Sequence, residues 1–161
     1  MKKNNSFNEP EALNSVAEFH NTFDAPVLEK EQIPSKERCE LRISLLQEEL
    51  NELKEAIENN DLIEVADAFC DIQYVLSGAI LEFGMGEKFK TLFDEVQRSN
   101  MSKACMNIAD AEKTVAHYEK RDGTKSRIIE KDGKFIVLRI PDNKVLKSVN
   151  YSPADIKSIL K

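Results

Sequence analysis

Two stretches, "LLQEELNELKEAIE" and "DLIEVADAFCDIQYV", put carboxylates where a helix should be apolar. A helix turns by about 100° per residue. With Glu48 as origin, Leu41, Leu45, Leu46, Leu50, Leu53, Ala56 and Ile57 fill an apolar arc from roughly 20° to 200°. Glu49 and Glu52 fall inside that arc, and Glu48 lies at its edge. Gln47, Asn51, Lys54, Glu55 and Glu58 fall on the opposite side, where solvated groups belong. The next helix repeats the anomaly. Glu64, Asp67 and Asp71 share one strip with Ala68, Val75 and Gly78, and Val65 and Ile72 flank it. That strip is expected to face the interior. The competing reading is that the helix rotation differs and some of these acids point to water.

Burying several like-charged carboxylates is costly unless cations sit between them. Di-iron bundles also carry buried acids, but they use Glu-x-x-His pairs. His20 and His117 are the chain's histidines, and neither stands three residues after a Glu. An all-oxygen donor set suits Mg²⁺ or Mn²⁺. Phosphate oxygens usually fill the open positions of such a site, which points to phosphoryl chemistry with activated water. Asp71 reads either as a further ligand or as an acceptor that steadies one. At the end of the first helix a base could stack on Phe23 while His20 or Asn21 reads its edge. The alternative there is a core Phe beside a surface His. Arg42 lies in the apolar arc; it either pairs with a site acid or a phosphate, or lays its stem over the core.

These acids need helices to carry them, and the chain supplies five. Apolar spacing predicts helices over about Glu9 to Phe23, Ser35 to Glu58, Leu62 to Phe83, Glu87 to Gln97 and Met106 to Lys120. Asn60 or Asp61 is the expected cap of the third. "DAPVLEKEQIPSKE" has two prolines and no helical period, so it reads as a connecting loop. "SRIIEKDGKFIVLRI" alternates around Asp132-Gly133 and reads as a β-hairpin. "SPADIKSILK" adds a last helical turn. The expectation is a mainly α, single-domain protein, with a helical catalytic bundle over 9–120 and a β-hairpin with a short helical tail over 121–161.

A net charge of −6, spread along the chain, argues against a nucleic-acid binder. "MKKNNSFNEP" has two lysines with no apolar run behind them, so it does not read as a signal peptide. No run of eighteen apolar residues predicts a membrane span. Cys39, Cys70 and Cys105 are odd in number and scattered. They read as reduced thiols filling core space, as in a cytoplasmic protein.

"EELNE", followed after eleven residues by "EVAD", resembles the EExxE…ExxD signature of the MazG-like all-α nucleoside triphosphate pyrophosphatases. "VAEFHNTFDAP", "RISLLQEEL", "DAFCDIQYV", "DEVQRSNMSK" and "NKVLKSVNYSPADI" look like further blocks of its phosphoribosyl-ATP-pyrophosphohydrolase-like branch. The resemblance covers about Val16 to Ile156. It implies hydrolysis of a (d)NTP to monophosphate and pyrophosphate with Mg²⁺ or Mn²⁺, in a helical bundle assembled as a homodimer or a tetramer. Carried over by position, it makes Glu49, Glu52, Glu64 and Asp67 metal ligands and Glu48 the catalytic base. It makes Asn100 and Lys103 nucleotide contacts. Between Asp122 and Pro141 the chain departs from the branch, being long and strand-rich there. Two rivals stand beside this reading: phosphoribosyl-ATP hydrolysis on the same scaffold, and a bundle that binds nucleotide without cleaving it.

Overall fold

A computed structural model describes residues 7–161. The N-terminal lysines and most of the segment read as lacking a leader lie outside these described residues. The described chain has six helices and one two-stranded sheet: α1 Ala12–Thr22, α2 Lys36–Glu58, α3 Leu62–Glu82, α4 Phe89–Met101, α5 Ile108–Asp122, β1 Ser126–Lys131, β2 Lys134–Arg139 and α6 Ile156–Ile159. The fold is mainly α with a small C-terminal hairpin, as the sequence predicts. No helix among the described residues is long and apolar enough to cross a membrane.

The chain forms two compact units, one ending at Phe89 and one spanning Lys90–Lys161. The second unit holds α5 together with the hairpin. The reason is packing: α5 lies on both hairpin strands, and Cys105, Ala111, Tyr118, Val137 and Leu146 form one core with Val115, Ile128 and Phe135 against it. Helix and hairpin therefore bury each other's apolar faces and belong together.

In the first unit α3 is central and packs against both α1 and α2. Ser35 caps α2, accepting from Arg38 N–H, and Asp61 caps α3, accepting from Ile63 N–H at 3.0 Å and Glu64 N–H at 3.3 Å. Between the two helices Asn60 takes a left-handed φ of 54°, which Asn tolerates better than most residues. The chain so reverses within a few residues, and α3 runs back along α2. Ala56 and Ala68 are buried on the two helices. Their small side chains let the backbones approach. The connector before α2 is strapped to the far end of α3, with Leu28 N–H donating to Leu81 O and Gln32 N–H to Phe83 O. Those bonds satisfy carbonyls that a helix end leaves open.

At that same end lies a buried polar cluster. Glu82 is 1% exposed, and both Arg38 and Arg42 donate to its carboxylate. Arg42 also donates to His20 Nε2 at 3.2 Å, and His20 Nδ1 donates to Pro26 O at 2.8 Å. Gly78 makes room for them: a Cβ there would stand 2.9 Å from both Arg42 Nη1 and His20 Nε2. Arg42 therefore pairs with a structural acid, an outcome neither sequence reading of it included. Burial would raise the Glu82 carboxyl, but the hydrogen bonds and charges of Arg38 and Arg42 outweigh it and hold Glu82 below its ordinary value.

The second unit is tied by side-chain straps. Arg98 donates to Ser152 Oγ and Pro153 O, Ser99 Oγ meets Tyr151 OH at 2.9 Å, and Thr114 Oγ1 accepts from Val149 N–H. Asp132 and Gly133 both have positive φ, as a two-residue primed turn requires, and β1 pairs with β2 from Ser126↔Arg139 to Lys131↔Lys134. The cysteines do not share one environment: Cys105 is buried and Cys39 half-buried, but Cys70 is exposed, contrary to its expected core role.

Removing Glu82 leaves the largely buried Arg42 and the half-buried Arg38 without their acid, so Glu82→Ala is expected to cost about 3 kcal/mol, read from denaturant unfolding. A carboxyl with a depressed folded pKa stabilises above its unfolded pKa and loses that contribution as pH falls through the folded value. Wild-type stability should therefore drop on acidification below about 4.5, with a shallower drop in Glu82→Gln. Identical acid profiles for the two proteins would refute the role given to Glu82.

Candidate active site

The turn at Asn60 fixes which acids meet. Counting outward from it, Glu49 on α2 and Asp71 on α3 are equidistant, and Glu52 is level with Ala68, next to Asp67. The electrostatics agree with that register. The Glu49 carboxyl is pushed above its ordinary value, first by burial and then by the charges of Asp71, Glu52, Glu48 and Asp67. Four carboxylates thus act on Glu49 along the α2/α3 seam. Glu49 Oε2 is shut off from solvent and accepts no hydrogen bond.

The row is less buried than the helical arcs suggest. Glu49 and Asp71 are half-buried, while Glu48, Glu52, Glu64 and Asp67 are exposed. The competing sequence reading therefore holds for four of the six. Periodicity ranks positions around a helix, but among the described residues α2 packs mainly against α3, and Leu41, Leu50 and Ile57 of its apolar arc are exposed. The acids sit along the margin of the seam. Among the described residues no three His, Cys, Asp or Glu side chains already stand close enough to share one metal ion. Glu52 and Glu64 nevertheless line one open cavity of about 400 Å³ with Ala56, Asn59 and Asp61, at the turn end of the seam.

The donor chemistry fits a hard divalent cation. Every donor is a carboxylate oxygen, their charges are the same, and one oxygen is buried without a partner. Glu49, Glu52, Glu64 and Asp67 are the residues that would hold such an ion, with Asp71 beside Glu49.

Beyond the acids, α3 carries aromatic surface. Phe19 stands 4.5 Å from Phe23 and 5.6 Å from Tyr74, ring centroid to centroid, and all three are exposed. Tyr74 lies seven residues after Asp67. That is about 10 Å along α3 and nearly the same rotation. Sequence reasoning named Phe23 but neither Phe19 nor Tyr74. The i, i+4 pair of phenylalanines and the seven-residue spacing from Asp67 are the signals that identify them. His20, by contrast, is buried with both ring nitrogens engaged, so the pairing of an exposed Phe with a buried His inverts the core-Phe, surface-His alternative. No ring nitrogen of His20 is left for a base edge in this arrangement.

Asn100 and Lys103 belong to the second unit. There they meet each other, Lys103 Nζ donating to Asn100 Oδ1 at 2.7 Å.

Comparison with known proteins places this geometry. Residues 16–100, just over half of the chain, match the phosphoribosyl-ATP pyrophosphohydrolase family model. The chain belongs to that family, and with it to the MazG-like all-α nucleoside triphosphate pyrophosphatase superfamily. It is thereby a pyrophosphohydrolase acting on nucleotides. The matched span contains the larger part of α1, all of α2 and α3 and nearly all of α4, hence every acid of the row. The chain is also similar to an uncharacterized protein of Acanthamoeba polyphaga mimivirus, at 22% identity over 91% of this chain and 94% of that one.

Crowded like charges with no counter-ion destabilise the state that holds them together. In metal-free buffer Glu49→Gln is therefore expected to raise the melting temperature by roughly 2–4 °C, the shift for about 1 kcal/mol in a domain of this size. The gain should shrink as NaCl screens the row. A melting temperature lowered by the substitution would show that Glu49 is a structural acid.

Proposed function

We propose that this chain hydrolyses a (deoxy)nucleoside triphosphate to the monophosphate and pyrophosphate, with Mg²⁺ or Mn²⁺. The observation that carries the reading is the layout of α2 and α3. A row of mutually repelling carboxylates, one with a partnerless buried oxygen, leads along one strip of α3 into an exposed aromatic cluster. The separation of about 10 Å between Asp67 and Tyr74 suits a nucleotide, with phosphates at the acids and base on the rings.

Glu49, Glu52, Glu64 and Asp67 hold the cation, and Asp71 acts on Glu49 from the facing helix. The cation, when bound, supplies Lewis-acid polarisation of phosphoryl oxygens and cancels charge on the leaving pyrophosphate. Glu48 is exposed, one residue before Glu49, and so is able to reach water without being buried as a ligand. It takes the proton of the attacking water; the water oxygen bonds to phosphorus as the phosphoanhydride bond breaks. Phe19, Phe23 and Tyr74 offer the base a stacking surface. Asn100 and Lys103 are assigned to the nucleotide on the strength of the "NMSK" block. The setting is nucleotide-pool housekeeping in the cytoplasm, with neither nucleic acid nor membrane as partner.

The same helices support a homodimer, with a tetramer as the larger alternative. Ile43, Leu50 and Ile57 recur every seven residues on α2, and Leu62, Phe69 and Leu76 every seven on α3; all six are exposed. Heptad-spaced apolar residues form a seam that another helix covers. A second copy would complete a four-helix arrangement over both stripes, burying well over roughly 2,000 Å². Sedimentation at low concentration should show a dimer; a folded, active monomer would count against it.

The family description is also compatible with a second substrate reading, phosphoribosyl-ATP hydrolysis. A pyrophosphate-release assay over canonical and damaged (d)NTPs and phosphoribosyl-ATP, with Mg²⁺ and with Mn²⁺, decides between them. Release from no substrate, with nucleotide binding intact, would leave a binding protein. Glu48→Gln is expected to lower turnover by about 10²-fold or more, the usual scale for a positioned base, while metal-dependent nucleotide binding survives. Glu52→Gln should instead weaken metal binding, seen as a smaller rise in melting temperature on adding Mg²⁺. Turnover near wild type in Glu48→Gln would remove Glu48 as the base, and Asp71 would be next to test.

A further inference from the structure

The second unit carries a cavity of about 300 Å³ walled by Lys103, Arg121, Arg139, Lys144, Lys147 and Tyr118. Five cations gather there in a chain whose net charge is −6. Two carboxylates partly offset them: Asp122 pairs with Arg121, and Asp142 accepts from Arg139 Nε at 2.8 Å. Five cations against two carboxylates leave an excess of three. Lys144 has no carboxylate within ion-pair distance among the described residues and acts on Asp142 only at longer range.

Backbone bonds, not flexible side chains alone, assemble these groups. Arg139 N–H donates to Lys144 O and Asn143 N–H to Arg139 O, each at 2.9 Å, so the Ile140–Lys144 loop folds tightly and sets Lys144 beside the end of β2. Leu146 N–H donates to Val137 O, carrying the following segment back along β2. Tyr118 OH accepts from Lys147 N–H at 3.2 Å, and the Arg121 guanidinium lies 4.4 Å over the Tyr118 ring. Arginine offers planar forks to phosphate and lysine offers point charge.

We propose that this cavity binds a short polyphosphate chain, free or as the tail of a nucleotide. The charge excess matches a pyrophosphate or triphosphate better than a single phosphate. Tyr118 is buried and its face is taken by Arg121, so the walls offer no stacking surface for a base. Arg121, Arg139 and Lys144 come from the stretch around the hairpin, outside the matched residues 16–100. Lys103 is the one wall residue shared with the hydrolytic reading; the other four cations are not, and the proposal does not rest on that reading.

Calorimetric titration of the full chain with inorganic pyrophosphate and tripolyphosphate in EDTA tests it, since chelation silences the carboxylate row. Saturable binding is expected, weakening as NaCl is raised. Lys144→Glu should weaken it at least tenfold, and Lys144→Arg should keep it. Lys144 is exposed, so neither change disturbs the core. Glu49→Gln should bind as wild type does, which separates this site from the carboxylate row. ATP binding no tighter than tripolyphosphate would identify the free chain as the ligand, and tighter binding the nucleotide tail. Absence of saturable binding in wild type, unchanged affinity in Lys144→Glu, or loss in Glu49→Gln would each overturn the proposal.

Discussion

The register between α2 and α3 is the constraint on which the site depends. Arg38 and Glu82 are equidistant from Asn60, as are Arg42 and Gly78, and Glu49 and Asp71. The turn sets the register at one end. At the other, some 22 residues away along each helix, the Arg38–Glu82–Arg42 cluster holds it. Apolar packing alone would not do this, because a helix pair with leucines every three or four residues has near-equivalent alignments one turn apart. A buried carboxylate with two guanidinium partners has no equivalent alignment: sliding by one turn leaves buried charge unpaired, at several kcal/mol. Buried ion clusters are a poor source of net stability, and fixing register is their best-attested use. Here the fixed quantity is which acids of α2 face which acids of α3.

That constraint explains how a repulsive site survives folding. Four neighbouring acids raise the energy of the Glu49 carboxylate, which also has a buried oxygen without a hydrogen-bond partner. The favourable terms lie elsewhere on the same helices: the capped turn at Asp61, the small buried residues Ala56 and Ala68, and the sealed cluster at Glu82. Strain concentrated at one place and supported by its flanks is the usual physics of a site that waits for a ligand.

What the sequence discloses follows from the range of the forces involved. Helix starts and turns are local, so Asp61 as a cap and Asp132-Gly133 as a hairpin turn are legible from a few residues. The acidic strips are legible too, because faces follow from spacing. Their burial is not, because burial depends on what covers a face, and α2 has cover on one side only. Arg42 was weighed against the row and the core, but its partner Glu82 is forty residues on and reads as an ordinary acid at a helix end. His20 and Phe23 exchange their expected places for the same reason: the connector carrying Pro26 folds over His20, while nothing folds over Phe23. The change of local pattern near residue 120, from helix to strand, is legible too, but α5 and the hairpin on either side of it share one core, which spacing does not disclose.

The division at Phe89 bears on how the chain uses charge. The acids that repel one another are confined to α2 and α3, in the unit that the family match covers almost entirely. The cations that gather around one cavity are confined to the other unit, all of them outside that match. Neither set is neutralised by its own surroundings: the acids have one another, and the cations outnumber their carboxylates. In a protein of mixed, interspersed surface charge such segregation has no stabilising purpose, since like charges held together oppose folding. Its physical rationale lies in ligands that bring the opposite sign. Cations suit the first set and phosphates the second.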